Sequence, residues 1–361
     1  MSRARDIADL SLVSARLDTV GGSEGALSNR NLIINGAMTV SQRGNSTGIT
    51  GSAYCGPDRF QTILSSAGTW SISQSTTNPA GFANSLKFDC TTADASLSAG
   101  DYLILYHKFE GQNLQHLKKG TADAKKLTLS FWIRSNKTGT YQVNLYDNDN
   151  TRNIGKTYTI DTADTWEHKT LTFDGDTTGT FNNDANQSMN IEWWFAAGSN
   201  YNSGSVPTSW EASSDPDRAA GLNVNLADST SNELYITGVQ LEVGDTATDF
   251  EHRSFADEIL RCRRYYHKQG TTYGHVIAMQ NSTSCYSNPT FPVEMRAAPT
   301  VDIDHANINL YVQGAKTTSA DFAQNIQPSS FQFHLQSSGA GAGDAGHIDA
   351  PTLFYTADAE L

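Results

Sequence analysis

Leu127-Thr128-Leu129-Ser130-Phe131-Trp132-Ile133-Arg134 puts Leu127, Leu129, Phe131 and Ile133 on one side of an extended chain and Thr128, Ser130, Trp132 and Arg134 on the other. That period of two belongs to a β-strand with one face in a core. Similar runs occur at 103–109, 141–146, 169–173, 189–195 and 234–241, separated by clusters of Gly, Asn and Asp that read as turns. From residue 31 to about 255 there is no helix-length periodicity. Many short strands with turns between them predict a mainly β protein built as a sandwich, not an alternating α/β sheet. No fixed-period repeat is present, which argues against a parallel β-helix.

On either side of this region the pattern changes. Leu10, Val13, Leu17 and Val20 recur at spacings of three and four before Gly21-Gly22-Ser23, predicting a short helix with a narrow apolar stripe. So narrow a stripe is marginal alone. The helix therefore packs against copies of itself, against a partner protein, or on its own sandwich. Residues 254–268, with Phe255, Ile259, Leu260 and Cys262, read as a connector into a second β region. Its strand candidates are 276–279, 291–295, 308–312, 331–335 and 353–355, with Pro292 and Pro299 restricting their strands to edge or irregular positions. The expected division is 1–30, an attachment helix and linker; 31–255, a sandwich; and 256–361, a connector and smaller C-terminal β domain.

Of 361 residues 38% are hydrophobic and only 17% charged, and the formal net charge is -13. That balance argues against nucleic acid, whose phosphates require a basic surface, and against an anionic membrane. Arg261, Arg263, Arg264 and Lys268 form the notable basic run, which reads as a solvated or interface face. No apolar run has the length of a membrane span, and Met1-Ser2-Arg3-Ala4-Arg5-Asp6 leads into no signal-peptide core. Synthesis and assembly in a cytoplasm is the expectation. Cys55, Cys90, Cys262 and Cys285 are isolated, with no CxxC spacing, and read as buried free thiols or as one bridge.

The polar faces of three strands hold the sharpest site candidate. Opposite the core residues lie Trp132 and Arg134, then Gln142, Asn144 and Tyr146, then Glu192 and Trp194. A pyranose ring stacks its C–H face on an aromatic while its hydroxyls take hydrogen bonds from amides and charged groups, which this set could supply. The competing reading buries the same aromatics against a loop or a neighbouring subunit. Enzyme motifs are weak: Gly21-Gly22-Ser23-Glu24-Gly25 and Gly44-Asn45-Ser46-Thr47-Gly48 lack the strand-to-helix setting of a nucleophile elbow. Gly341-Ala342-Gly343-Asp344-Ala345-Gly346 leads into a strand instead of opening a helix. No histidine spacing suits a metal. The chain is therefore read as a non-enzyme without a cofactor.

Several segments resemble those of known proteins. Asn31-Leu32-Ile33-Ile34-Asn35-Gly36-Ala37-Met38 and Tyr235-Ile236-Thr237-Gly238-Val239-Gln240-Leu241-Glu242 resemble the opening and closing strands of a jelly-roll β-sandwich of the carbohydrate-binding-module type. Glu110-Gly111-Gln112-Asn113-Leu114, Leu129-Ser130-Phe131-Trp132-Ile133, Trp193-Trp194-Phe195-Ala196-Ala197-Gly198-Ser199 and Phe250-Glu251-His252-Arg253-Ser254-Phe255 resemble segments of bacteriophage tail-fibre proteins. The resemblance spans roughly residues 31 to 268. It implies a structural virion protein on the phage tail, assembled in the host bacterial cytoplasm, that binds host-surface glycan during adsorption. It further implies a homotrimer and attachment to other tail or virion proteins through residues 1–30. Two alternatives stay open: a capsid decoration or adaptor protein with a purely structural role, and a glycan-degrading tailspike. Modules of this type often hold a structural calcium through an Asp pair where this chain has Thr237 and Gly238, so the expectation is no metal there. Asp147-Asn148-Asp149-Asn150 and Asp174-Gly175-Asp176 are oxygen-rich loops that could hold calcium, although hairpin turns account for both without it.

Overall fold

The computed structural model describes residues 29–281, 283–304, 308–312, 315–317, 321–336 and 344–361. The stripe Leu10, Val13, Leu17 and Val20 lies outside the described residues. The chain divides into two compact units, Met1–Ser254 and Phe255–Leu361.

The first unit is a sandwich of two antiparallel sheets. Six strands run in the order β1 (Ser46–Ile49), β4 (Thr69–Ser75), β5 (Ser85–Thr92), β13 (Glu233–Val243), β7 (Leu127–Ser135) and β10 (Glu167–Phe173). Seven run in the order β12 (Glu211–Ala212), β9 (Arg152–Ile160), β8 (Gly139–Asp147), β11 (Gln187–Ala197), β6 (Tyr102–Glu110), β3 (Phe60–Ser65) and β2 (Ala53–Tyr54). All six runs read from alternation are strands. Their apolar sides meet between the sheets: Leu129, Phe131 and Ile133, Tyr141, Val143 and Leu145, and Ile191, Trp193 and Phe195 are all fully buried. Aromatic edges lock the layers, with Phe131 on Trp193 at 6.1 Å and Phe88 on Phe195 at 5.3 Å. Each such side chain contributes roughly 1.5 to 3 kcal/mol by leaving water.

The opening stretch departs from expectation, because residues 31–38 form no strand. Asn31 and Asn35 divert the backbone into side-chain hydrogen bonds instead of a ladder. Asn31 donates to the Val239 carbonyl at 3.0 Å and accepts from the Ile33 and Leu241 amides. Asn35, at φ 64°, donates to the carbonyls of Val40 and Asp58. Gly36 is required here, since a Cβ would stand 2.1 Å from the Val239 carbonyl oxygen. Arg253 ties the segment down by donating to the carbonyls of Ile33 (2.8 Å) and Asn31, and it pairs with Glu251 at 3.3 Å.

The second unit opens with a helix, Phe255–Arg263, where a connector was expected. Its sheet runs β18 (Ala315–Thr317), β17 (Asn309–Val312), β21 (Ala345–Asp358), β14 (Tyr266–Met279), β15 (Ser284–Ser287), β20 (Gln332–Gln336) and β19 (Asp321–Gln324), with β16 (Thr300–Ile303) also paired to β21. Its separate core includes Ile277, Cys285, Met295, Phe331, Phe333, Leu335 and Ile348. Residues 291–295 are not the strand expected of them. Pro292 has no N–H to give a ladder, so this stretch is held through Phe291 N–H to the Ser329 carbonyl and Met295 N–H to the Pro328 carbonyl. All four cysteines are buried and none is in a disulfide.

Candidate functional site

The seven candidate residues do not share a face. Trp132 and Arg134 lie on β7 in the six-stranded sheet, whereas Gln142, Asn144, Tyr146, Glu192 and Trp194 lie on the adjacent strands β8 and β11 of the other sheet. Alternation correctly turns both sets away from the core, but the sandwich sends them out on opposite sides.

On the seven-stranded sheet the outward face is covered by the chain's own residues 198–222. Gln142, Asn144, Glu192 and Trp194 are no more than 1% exposed. Asn144 donates to the Arg218 carbonyl at 2.7 Å, and Gln142 accepts from Gly221 N–H at 2.7 Å while donating to the Asp217 carbonyl at 3.1 Å. The Arg218 guanidinium pairs with Glu192 at 2.7 Å, donates to the Tyr106 hydroxyl at 2.8 Å, and sits over the rings of Trp194 and Tyr146 at 5.2 and 5.3 Å. Burial alone would oppose its charge, but Glu192 and its neighbours more than compensate and hold the guanidinium ionised. The Trp194 indole donates to Glu192 and packs on Tyr201. Tyr146 alone of this set keeps partial exposure. Gln142, Asn144, Glu192 and Trp194, buried and satisfied in this way, have no polar group or ring face left for a ligand.

The outward face of the six-stranded sheet is covered at one end, where Thr128, Ser130, Thr237, Gln240 and Glu242 are buried, and partly exposed at Trp132 and Arg134. Trp132 is half-buried, pairs across the ladder with His168 on β10, and lies 5.1 Å from that ring. Two residues along β7, Arg134 extends over Tyr235 of β13 at 5.1 Å and is held by Asp164 at 2.8 and 3.0 Å. Trp166, at the mouth of β10, stands 6.3 Å from Tyr235 and is also half-buried. Below them Glu233 accepts from the Tyr235 hydroxyl at 2.9 Å and pairs with Lys87 at 3.0 Å. Burial opposes ionisation of Glu233, but the bonds from Lys87 and Tyr235 outweigh it and hold the carboxyl below its ordinary range. The frame is thus charge-balanced and rigid.

A break in β13 extends this face. Register shifts between Thr237 and Gln240, with Gly238 at φ 60°. A Cβ on Gly238 would stand 2.7 Å from the Phe82 ring and 3.0 Å from Trp132. Only glycine lets those rings close over the backbone. Phe82 in turn meets Phe250 at 5.0 Å and His252 at 5.3 Å. Trp166, His168, Tyr235, Phe82 and Phe250 were not among the expected site residues. Tyr235 was within reach of sequence reasoning, because alternation in 234–241 sets it opposite Leu234 and Ile236; the others required knowledge of which strands are neighbours.

The two oxygen-rich loops do converge, but on a lysine. Lys119 Nζ lies 2.6 Å from Asp147 and 3.1 Å from Asp176, with the carbonyls of Thr178 and Gly179 at 2.8 and 3.0 Å. All three side chains are at most 4% exposed. Arg152 pairs with Asp176 from the other side at 2.8 Å. Burial opposes ionisation of Asp176, but Arg152, the Thr178 N–H and Lys119 together hold its carboxyl below the ordinary value. An ammonium thus stands where a cation would be held. Among the described residues no group of three or more His, Cys, Asp or Glu is placed to hold a metal, and no helix is long and apolar enough to cross a membrane.

No protein-family model and no curated protein matches this sequence. Similar solved structures include the enzymatically active domain of tailspike protein 4 of bacteriophage CBA120, at 10% identity and TM-score 0.30, covering 59% of this chain and 21% of that one. They also include TmCBM61 in complex with β-1,4-galactotriose, at 7% identity and TM-score 0.31, covering 60% of this chain and 99% of that one. A family 11 carbohydrate-binding module of a Clostridium thermocellum cellulosomal cellulase matches at 11% identity and TM-score 0.28, over 57% and 99%. Scores this low leave function to be argued from the site itself.

Proposed function

We propose that the sandwich is a jelly-roll module that binds glycan, without catalysing its cleavage, through the outward face of the six-stranded sheet. The observation that carries this reading is the pair of half-buried indoles, Trp132 and Trp166, standing around an Arg134 whose geometry is already fixed by Asp164 and Tyr235. Ring faces supply stacking area and Arg134 supplies donors without loss of side-chain freedom on binding. Tyr146, Gln142, Asn144, Glu192 and Trp194 have no part in it. In the wider reading the chain is a phage tail-fibre protein that works on the virion. The segment resemblances support that, with residues 1–30 as the anchor to a tail protein and as a trimer seam.

The test is a glycan array followed by titration of each hit. Trp132→Ala and Trp166→Ala are each expected to cost about 1 to 3 kcal/mol of affinity, roughly five- to 150-fold. Their melting temperatures should move by no more than about 2 °C, since half-exposed side chains carry little stability. Undiminished binding in both variants would sink the proposal, as would a wild type that binds no glycan.

A further inference from the structure

Arg134 and Lys87 flank Tyr235 on the outward side of the six-stranded sheet, 5.1 and 5.5 Å from its ring. The ladder puts all three in one row, Arg134 opposite Tyr235 and Tyr235 opposite Lys87. Residues paired across a sheet share a face. Both cations are already met by carboxylates. Glu233 reaches Arg134 at 3.6 Å through Oε1 and Lys87 at 3.0 Å through Oε2, while Asp164 holds Arg134 at 3.0 Å and Asp89 holds Lys87 at 3.1 Å.

Three carboxylates against two cations leave this patch negative, on a chain whose own net charge is -13. His168 adds no compensating charge at neutral pH, because burial opposes its protonation. Lys169, on the other side of β10, is taken up by Glu167 at 2.5 Å and Asp161 at 3.6 Å. Hydrogen-bonding capacity survives this pairing. A guanidinium has five N–H donors and an ammonium three, so Arg134 and Lys87 still have donors for uncharged hydroxyls. A sugar carboxylate would meet no unmatched cation, and it would stand close to Asp164 and Asp89, whose side chains are 56% and 43% exposed. Like charges set against each other are what reject a wrong ligand.

We propose that this face admits uncharged sugars and rejects those bearing a carboxylate, with Glu233, Asp89 and Asp164 as the residues that set the choice. The inference rests on glycan binding at the same face and adds to it the class of sugar. Trp132 and Trp166 offer stacking area to any pyranose, since a ring face meets C–H groups whatever the other substituents are. Discrimination comes from the carboxylates around them, which neutralise the two cations and leave negative charge in excess.

Titration of each array hit in two forms tests this, one with a carboxylate and one with CH2OH at the same carbon, made by oxidising a neutral hit or reducing an acidic one. Wild type is expected to bind the uncharged form at least about tenfold more tightly at low salt. The gap should narrow at about 1 M salt, where the Debye length is about 3 Å. Glu233→Gln combined with Asp89→Asn leaves the two cations in excess and is expected to narrow the low-salt gap at least about threefold. Circular dichroism checks that the variant folds; if it does not, Asp89→Asn decides, since that side chain lies at the surface. Equal or tighter binding of the carboxylate form by wild type overturns the selection by charge, and so does a gap that the folded variant leaves unchanged; glycan binding at this face stands in both cases. A wild type that binds neither form of any glycan, or that keeps its affinity in both Trp132→Ala and Trp166→Ala, overturns the glycan face and this inference together.

Discussion

Lys119→Met is expected to lower the stability of the sandwich by about 3 to 5 kcal/mol, the cost of leaving one side of a buried ion pair uncompensated. For a unit of this size that is a fall in melting temperature of roughly 6 to 20 °C. The carboxylates of Asp147 and Asp176 converge on that one ammonium, and neither can turn to water. Asp147→Asn added to Lys119→Met should recover part of the loss, because it removes one of the stranded charges; a double-mutant cycle by thermal or urea melts measures the coupling. A loss under about 1 kcal/mol, the worth of a surface pair, would show that the cage is not closed. Because the cation is covalently part of the chain, chelator is expected to leave the wild-type melting temperature unchanged. A site-bound metal at a hundred times its dissociation constant would register as about 2.7 kcal/mol. Acid should reach the cage through Asp176. Its folded value lies below the ordinary 3.8, so its stabilisation is complete above that pH and is lost as pH falls through the lower folded value.

Trp194→Ala is expected to cost about 3 to 5 kcal/mol of stability and to leave glycan affinity unchanged. This reverses what the sequence suggests for that residue. Its indole is fully buried, donates to Glu192 at 3.1 Å, and lies beneath both Arg218 and Tyr201. Removing it opens a cavity and strips a partner from a carboxylate that is 1% exposed. Melts and array binding of the same variant separate the two roles. A folded variant that melts like wild type but no longer binds would return the seven-stranded face to candidacy.

How much of this was legible depended on the range of the interaction. Alternation named the core in three strands, because a strand's side chains take sides whatever lies beside it. Net charge, which does not depend on fold at all, argued against a nucleic-acid partner. The opening segment was less readable. The apolar letters of Ile33 and Ile34 fit a strand, yet Asn31, Asn35 and Gly36 bend the backbone around the Val239 carbonyl. Asn side chains that compete for backbone groups leave no periodic signature.

By itself the sequence determined that residues 31–255 form a β-rich body with one apolar and one polar side to each strand, since pleat and side-chain polarity are local. Tertiary structure decided which polar sides stay open. β7 pairs with β10 and β13 instead of β8, so Trp132 and Arg134 part company with Gln142, Asn144, Glu192 and Trp194. The latter four are then sealed by Arg218, drawn in from a loop by Glu192. Strand neighbours and loop covers are set by contacts between residues tens to a hundred positions apart. Their energies belong to pairs and networks, and a pattern within a single segment does not contain them.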